Sequence, residues 1–215
     1  GPGEIKVALS ARGAQFVDVL MAAGEYQTKP PLPFIPGGEA AGEIVAVGSE
    51  GDRFRVGDKV MARHSTGAFA EQATIPADHA LPVPANMELI QAAGFRSAYS
   101  TAYHSLVQRG RLQPGETLLV HGAAGGIGLA AVQIGKILGA TVIATASSDN
   151  KLAVVEANGA DHIINYTDGF RDKVKELTDG RGADVIYDPV GAGVFDESMR
   201  CLNWGARILI LGFVG

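Results

Sequence analysis

Cysteine is nearly missing from this chain, with one residue, Cys201, among 215. A single thiol excludes a disulfide framework and any thiolate zinc cluster, and it suits a reducing, cytoplasmic location. Basic clusters are missing too. Lys and Arg total 18 against 23 Asp and Glu, a formal net charge of −5. Neither nucleic acid nor an anionic membrane is therefore expected as the main partner. Aromatic residues reach only 7%, and no platform for stacking bases stands out. No segment reads as a signal peptide or a membrane span. The longest apolar stretch, Leu118 to Ala146, is interrupted by His121, Gln133, Lys136 and several glycines. A spanning helix needs ~20 apolar residues with few charges, so a buried strand–helix–strand is the better reading.

Glycine, by contrast, is abundant: 29 residues, close to twice the average usage of about 7%. With 47% apolar residues, the chain can bury a core while turning sharply many times. Its length allows one large domain or two small ones.

The pattern changes near Gly94. Before it, short β-like runs at Ile5–Leu9, Ala41–Val47, Lys59–Ala62 and Phe69–Ile75 alternate with Pro- and Gly-rich turns. This predicts a small, mostly antiparallel barrel over residues 1–94, with one short helix at Phe16–Ala23. After it, strands at Thr117–Val120, Thr141–Thr145, His162–Asn165, Val185–Asp188 and Arg207–Leu211 alternate with helical stretches. Those helices are expected near Ile127–Leu138, Lys151–Asn158, Phe170–Thr178 and Val194–Leu202. Gly139, Gly159 and Gly180 each follow a helix where a left-handed cap is wanted. Five strands joined by helical crossovers predict an α/β, doubly wound parallel sheet over residues 95–215.

The first of these strands runs into His121-Gly122-Ala123-Ala124-Gly125-Gly126-Ile127-Gly128 and then an apolar helix. A dinucleotide fingerprint needs small residues here, because the backbone must approach a pyrophosphate and the helix must point N–H groups at it. Gly125 and Gly128 take the second and third fingerprint glycines, and Ala123 replaces the first. Ala124, Gly125, Gly126, Ile127 and Gly128 are the candidate pyrophosphate residues. A nucleotide P-loop is excluded, since Ile137 follows Lys136 where Ser or Thr would hold magnesium.

At the end of the second strand, Ala146 stands where NAD-binding folds place an acidic residue. Ser147, Ser148 and Lys151 follow, two hydroxyls and a cation that suit the 2′-phosphate of NADPH. A solvated loop is the alternative. Asp149 reads as the N-cap of the next helix and need not face the ribose.

These residues carry a family resemblance. The chain resembles zinc-free medium-chain dehydrogenases/reductases of the NADPH:quinone oxidoreductase (zeta-crystallin-like) branch. The matching stretches are Ala40-Ala41-Gly42-Glu43-Ile44-Val45-Ala46-Val47-Gly48, Val56-Gly57-Asp58-Lys59-Val60, Gly67-Ala68-Phe69-Ala70-Glu71, the glycine loop, and Asp188-Pro189-Val190-Gly191. The resemblance implies a GroES-like, barrel-type catalytic domain, a Rossmann domain, and a nicotinamide held in the cleft. Zinc-dependent relatives place Cys and His at the positions of Gln15 and Gly38, and the four-cysteine lobe is lacking. Glycine offers no ligand and an amide oxygen is a poor one, so no zinc is expected. His64, His79, His104, His121 and His162 show no ligand spacing and read as surface or core histidines. Cys201 reads as packing on a buried helix face.

Without metal, the acceptor must take hydride readily, as quinones and α,β-unsaturated carbonyls do. Tyr26 matches the register of the catalytic tyrosine in enoyl-thioester reductases of the superfamily, and it is the candidate donor to a carbonyl or enolate oxygen. Pocket lining is its alternative role. Gln15 stands where many relatives carry Asn, and is the second candidate. The resemblance also places Tyr166 beside the adenine, and Val190, Gly191 and Phe213 in the loops flanking the nicotinamide. It leaves Thr101 between a cofactor contact and helix packing.

Relatives reach the turn at Gly1-Pro2-Gly3-Glu4 only after earlier strands, and continue past Gly215 with a sixth Rossmann strand that commonly forms the dimer edge. The chain is thus expected to be a piece truncated at both ends, with the family's homodimer interface in doubt. Three functions follow. The first is NADPH-dependent reduction of a quinone or other conjugated carbonyl, and the second an enoyl-thioester reductase, free-standing or within a synthase. A distant third is a cofactor-binding structural or RNA-binding protein, which the acidic charge disfavours.

Overall fold

The computed structural model of the protein describes residues 1–50 and 53–212. The chain divides into two compact units, Gly1–Ser97 and Ala98–Gly215.

The first unit is built on a five-stranded antiparallel sheet. Its strands are β1 (Glu4–Gly13), β2 (Glu39–Val47), β3 (Lys59–Arg63), β4 (Gln72–Pro76) and β5 (Ala80–Pro82), in the order β4-β1-β2-β3-β5. Along β1, Ile5, Val7 and Leu9 are buried and pack against Ile44, Val60, Ala62 and Ile75. Successive side chains of a strand point to opposite faces, so this alternation is what a one-sided core requires. Helix α1 (Phe16–Ala23) spans the predicted residues and ends at Gly24 with φ +72°, whose N–H reaches the Leu20 and Met21 carbonyls. The short α2 (Leu89–Ala92) follows β5.

One predicted strand starts late. Residues 69–71 lie outside β4, because Gly67 turns at φ +103° and the Ala68 and Phe69 N–H groups bond to the carbonyls of Gly37 and Pro36. That backbone is occupied by a loop and is not free for the ladder. Strand β5 escaped the sequence reading, being three residues long and ending in proline.

Helix α3 (Phe95–Tyr103) continues into a π-helical turn over His104–Arg109, where Ser105 Oγ donates to the Thr101 carbonyl. The second unit then alternates β6 (Thr117–Val120), α4 (Gly126–Ile137), β7 (Thr141–Ala146), α5 (Asp149–Ala157), β8 (His162–Asn165), α6 (Arg171–Leu177), β9 (Ala183–Asp188), α7 (Ala192–Ser198) and β10 (Leu202–Ile210). The order β10-β9-β6-β7-β8, parallel throughout, is that of a Rossmann sheet. Leu118, Val120, Val142, Ala144 and Val185 bury against α4 residues on one face. Leu119, Ile143 and Ile186 join Phe170 and Val174 on the other. Burial on both faces explains the continuous apolar runs, each full side-chain burial contributing about 1.5–3 kcal/mol.

Three corrections fall in this unit. Helix α7 stops at Ser198, and Leu202, predicted as helical, opens β10 instead, paired with Ala183. Cys201 therefore lies in the connection between them, not on a helix, though it is fully buried. Burial pushes its thiol up to about 11, which keeps it protonated and unreactive. Asp149 is the first residue of α5, and Ser148 is its N-cap.

Candidate functional site

In a doubly wound sheet, ligands bind outside the carboxyl ends of the strands, where the strand order reverses. Here that point falls at β6, flanked by β7 and β9, and three loops rise there.

The first is the glycine loop. Gly122 adopts φ +54°, and the loop folds so tightly that a Cβ on Gly128 would lie 2.4 Å from the Gly122 carbonyl oxygen. Gly128 is therefore demanded by the fold itself. Gly126 differs, since a Cβ there would meet no heavy atom within 4 Å. It opens α4 behind the N-cap Gly125, and no side chain caps the helix. Uncapped N–H groups facing open space form a cradle that fits a diphosphate. Ala124 and Ile127 are half-buried beside it.

The second loop follows β7. Ala146 is buried, and Lys151 Nζ donates to Ser147 Oγ at 3.0 Å. Ser147 is half-buried and Lys151 exposed, so a cation and a hydroxyl stand together at this strand end. Asp149 is turned to another partner, its Oδ1 accepting from Asn165 Nδ2 at 3.2 Å. Tyr166 follows Asn165 in a single 3₁₀ turn and packs against the core containing Ile143 and Ile164.

The third loop follows β9. Asp188 is fully buried, and its Oδ1 accepts the N–H groups of Val190 at 2.8 Å and Gly191 at 3.0 Å. Its Oδ2 is buried with no partner among the described residues. Gly191 and Ala192 both take positive φ, +78° and +47°. An alanine in the left-handed region is strained by about 1 kcal/mol, and such strain gathers at sites. Phe213 lies outside the described residues. Thr101 is half-buried on α3 and offers its carbonyl to Ser105.

His121 stands at the head of the glycine loop. It is fully buried, held between Thr145 Oγ1 and Ser198 Oγ at 2.9 Å each, with the Phe170 ring 4.7 Å away. Burial pushes its pKa down to about 4 against the opposing pull of Asp188 and Glu197, so the ring is neutral. Nothing in local sequence marks this role, because its partner Ser198 lies 77 positions away.

In the first unit, Gln15 precedes α1. Its N–H bonds Asp18 Oδ2 at 2.8 Å, and its amide donates to Glu39. Glu39 is fully buried and also accepts from the Ser97 N–H at 3.0 Å. Burial raises the Glu39 pKa above its usual value, and the hydrogen bonds from Ser97, Arg96 and Gln15 oppose that rise. Tyr26, half-buried, follows the Gly24 turn with its N–H on the Leu20 carbonyl. Gly38 offers no donor, and the Gln15 amide is engaged by Glu39, a donor set that does not fit zinc. Among the described residues, no three His, Cys, Asp or Glu side chains cluster to hold a metal ion. No helix among them is long and apolar enough to cross a membrane.

Comparison with known proteins agrees with this architecture. A family described as alcohol dehydrogenase GroES-like domain matches residues 1–85, and one described as zinc-binding dehydrogenase matches residues 126–215. The quinone oxidoreductase-like protein 2 homolog of Nematostella vectensis is 42% identical over 99% of this chain, which spans 59% of that protein. Escherichia coli quinone oxidoreductase, solved in complex with NADPH, superposes with a TM-score of 0.87 at 36% identity, covering 94% of this chain and 62% of that one. The enoyl reductase CurK superposes with a TM-score of 0.91 at 30% identity, covering 99% of this chain and 67% of that one. The chain belongs to the medium-chain dehydrogenase/reductase family, in its quinone oxidoreductase branch.

Proposed function

We propose that this chain carries the dinucleotide site and part of the substrate site of an NADPH-dependent, zinc-free reductase of quinones or other conjugated carbonyls. The observation that carries this reading is the end of β7, where Lys151 and Ser147 stand together and Ala146 replaces an acid. A carboxylate there would repel a 2′-phosphate, whereas an ammonium and hydroxyls bind it.

NADPH, when bound, supplies the hydride. The chain's residues hold and orient it. The N–H groups opening α4 would hold its diphosphate beside Gly126, where a side chain would meet nothing. Ser147, Ser148 and Lys151 would take the 2′-phosphate, Tyr166 would flank the adenine, and Val190, Gly191 and Thr101 would flank the nicotinamide. Tyr26 donates a hydrogen bond to the acceptor's carbonyl oxygen, where negative charge develops. Gln15 takes a supporting role, since one of its amide hydrogens is committed to Glu39.

Parallel fluorescence titrations with NADPH and NADH, followed by a panel of quinones and enones, test the reading. Tighter NADPH binding by at least about tenfold supports it, and equal binding removes the β7 argument. A second reading, reduction of an enoyl thioester, is favoured by the likeness to the enoyl reductase CurK and by the position of Tyr26. A crotonyl-type thioester turned over faster than benzoquinone would select it.

A further inference from the structure

We propose that His121 is a positioning residue that ties the three cofactor loops to one another. The inference rests on the dinucleotide reading above and goes beyond it, because the imidazole itself needs no contact with the ligand.

The direction of each hydrogen bond follows from the geometry. Ser198 Oγ donates to the Val194 carbonyl at 2.7 Å, which uses its only proton. Toward His121 it must then accept, so Nε2 carries the hydrogen and Nδ1 is a lone pair. That lone pair accepts from Thr145 Oγ1. The result is one directed chain, Thr145 to His121 to Ser198 to Val194, with every member satisfied.

Its anchor points are the loops in question. His121 opens the glycine loop, and its own N–H bonds the Tyr187 carbonyl of β9 at 3.0 Å. Thr145 lies two residues before Ser147, and its carbonyl receives the Ala123 N–H at 3.1 Å. Ser198 and Val194 belong to α7, the helix entered through Val190 and Gly191. The Phe170 ring closes one side, and the charged groups acting on the imidazole are Asp188 and Glu197. A ligand that spans all three loops depends on their mutual spacing. A ligand that touches one does not.

That difference supplies the test, made on the intact protein with NADPH and with 2′-AMP, a fragment that meets the loop after β7 and the Tyr166 turn but neither the glycine loop nor the loop after β9. Replacing His121 by Phe strands the Thr145 hydroxyl, so the variant to compare is His121→Phe with Thr145→Val, where the buried pair becomes apolar together. NADPH binding should weaken about tenfold, while 2′-AMP binding stays within about twofold. His121→Gln, which offers one donor and one acceptor, should restore most of the NADPH affinity. Unchanged NADPH binding in a folded double variant overturns the proposal, as does an equal loss for both ligands. A failure of the unmodified protein to bind NADPH or NADH would instead remove the dinucleotide reading, and the clamp with it. Should the double variant not fold, Thr145→Val alone, read by the same pair of ligands, decides the matter on the same criteria.

Discussion

Lys151 Nζ sits 3.0 Å from Ser147 Oγ, so the ammonium is held at the strand end instead of ranging through solvent. The loop is thereby prearranged for an anion, and less side-chain entropy remains to be lost on binding. Lys151→Ala should weaken NADPH binding by about tenfold or more and leave NADH within about twofold, as read by fluorescence titration. NADPH affinity should also fall more steeply with salt than NADH affinity, because Lys151 is exposed and screened.

The two glycines of the phosphate loop should separate by phenotype. Gly128→Ala forces a Cβ to 2.4 Å from the Gly122 oxygen, and is expected to destabilise the fold by about 1–3 kcal/mol. Gly126→Ala meets no protein atom and should leave the melting temperature unchanged or slightly raised. It should nonetheless weaken NADPH binding, because the new methyl enters the cradle. Thermal melts beside titrations check both, and a destabilised Gly126→Ala protein would contradict this account.

Tyr26→Phe separates the two chemistries. If the phenol donates to a thioester enolate, turnover of a crotonyl-type substrate should drop by about 10²-fold, with quinone turnover changed only slightly. Equal rates for mutant and parent on both substrates would leave Tyr26 as pocket lining.

Acid should loosen the second unit at an identifiable pair. Arg207 grips Glu116 with both terminal nitrogens, at 2.8 and 2.6 Å, and places Nε on the Gly110 carbonyl. The hydrogen bonds from Arg207 hold the Glu116 pKa below its ordinary value of 4.5. The folded state thus favours the ionised form, and its contribution is complete above the unfolded pKa and is lost as pH falls through the lower, folded one. Glu116→Gln should lower stability by about 1–2 kcal/mol at pH 7. The difference from the parent should shrink below about pH 4.5, as urea midpoints across pH would report.

Much of this fold is legible in local pattern. β6, β8 and α1 occupy the predicted residues because a Thr-led apolar run, an Ile pair and an apolar octet closed by Gly24 are strong signals over short windows. The glycine loop is legible for a related reason, as small residues at fixed spacing between a strand and a helix state a backbone requirement directly. Leu202 was misread because strand and helix compete for it locally, and only its pairing with Ala183 settles the contest. The start of β4 was misplaced for the same reason, since the loop at Pro36 and Gly37 takes the hydrogen bonds that strand would have used.

By itself the sequence determined the alternation of strands and helices in the second unit, the small-residue cradle, the lack of an acid after β7 and the lack of ligands at Gln15 and Gly38, all of which are properties of residue type at a position. Tertiary structure decided which partners those residues keep. It turned Asp149 toward Asn165, committed Gln15 to Glu39, and buried His121 between side chains 24 residues and 77 residues away. Hydrogen bonds are directional and short, so their pairing exists only once the sheet has brought distant strand ends within 3 Å or so of one another.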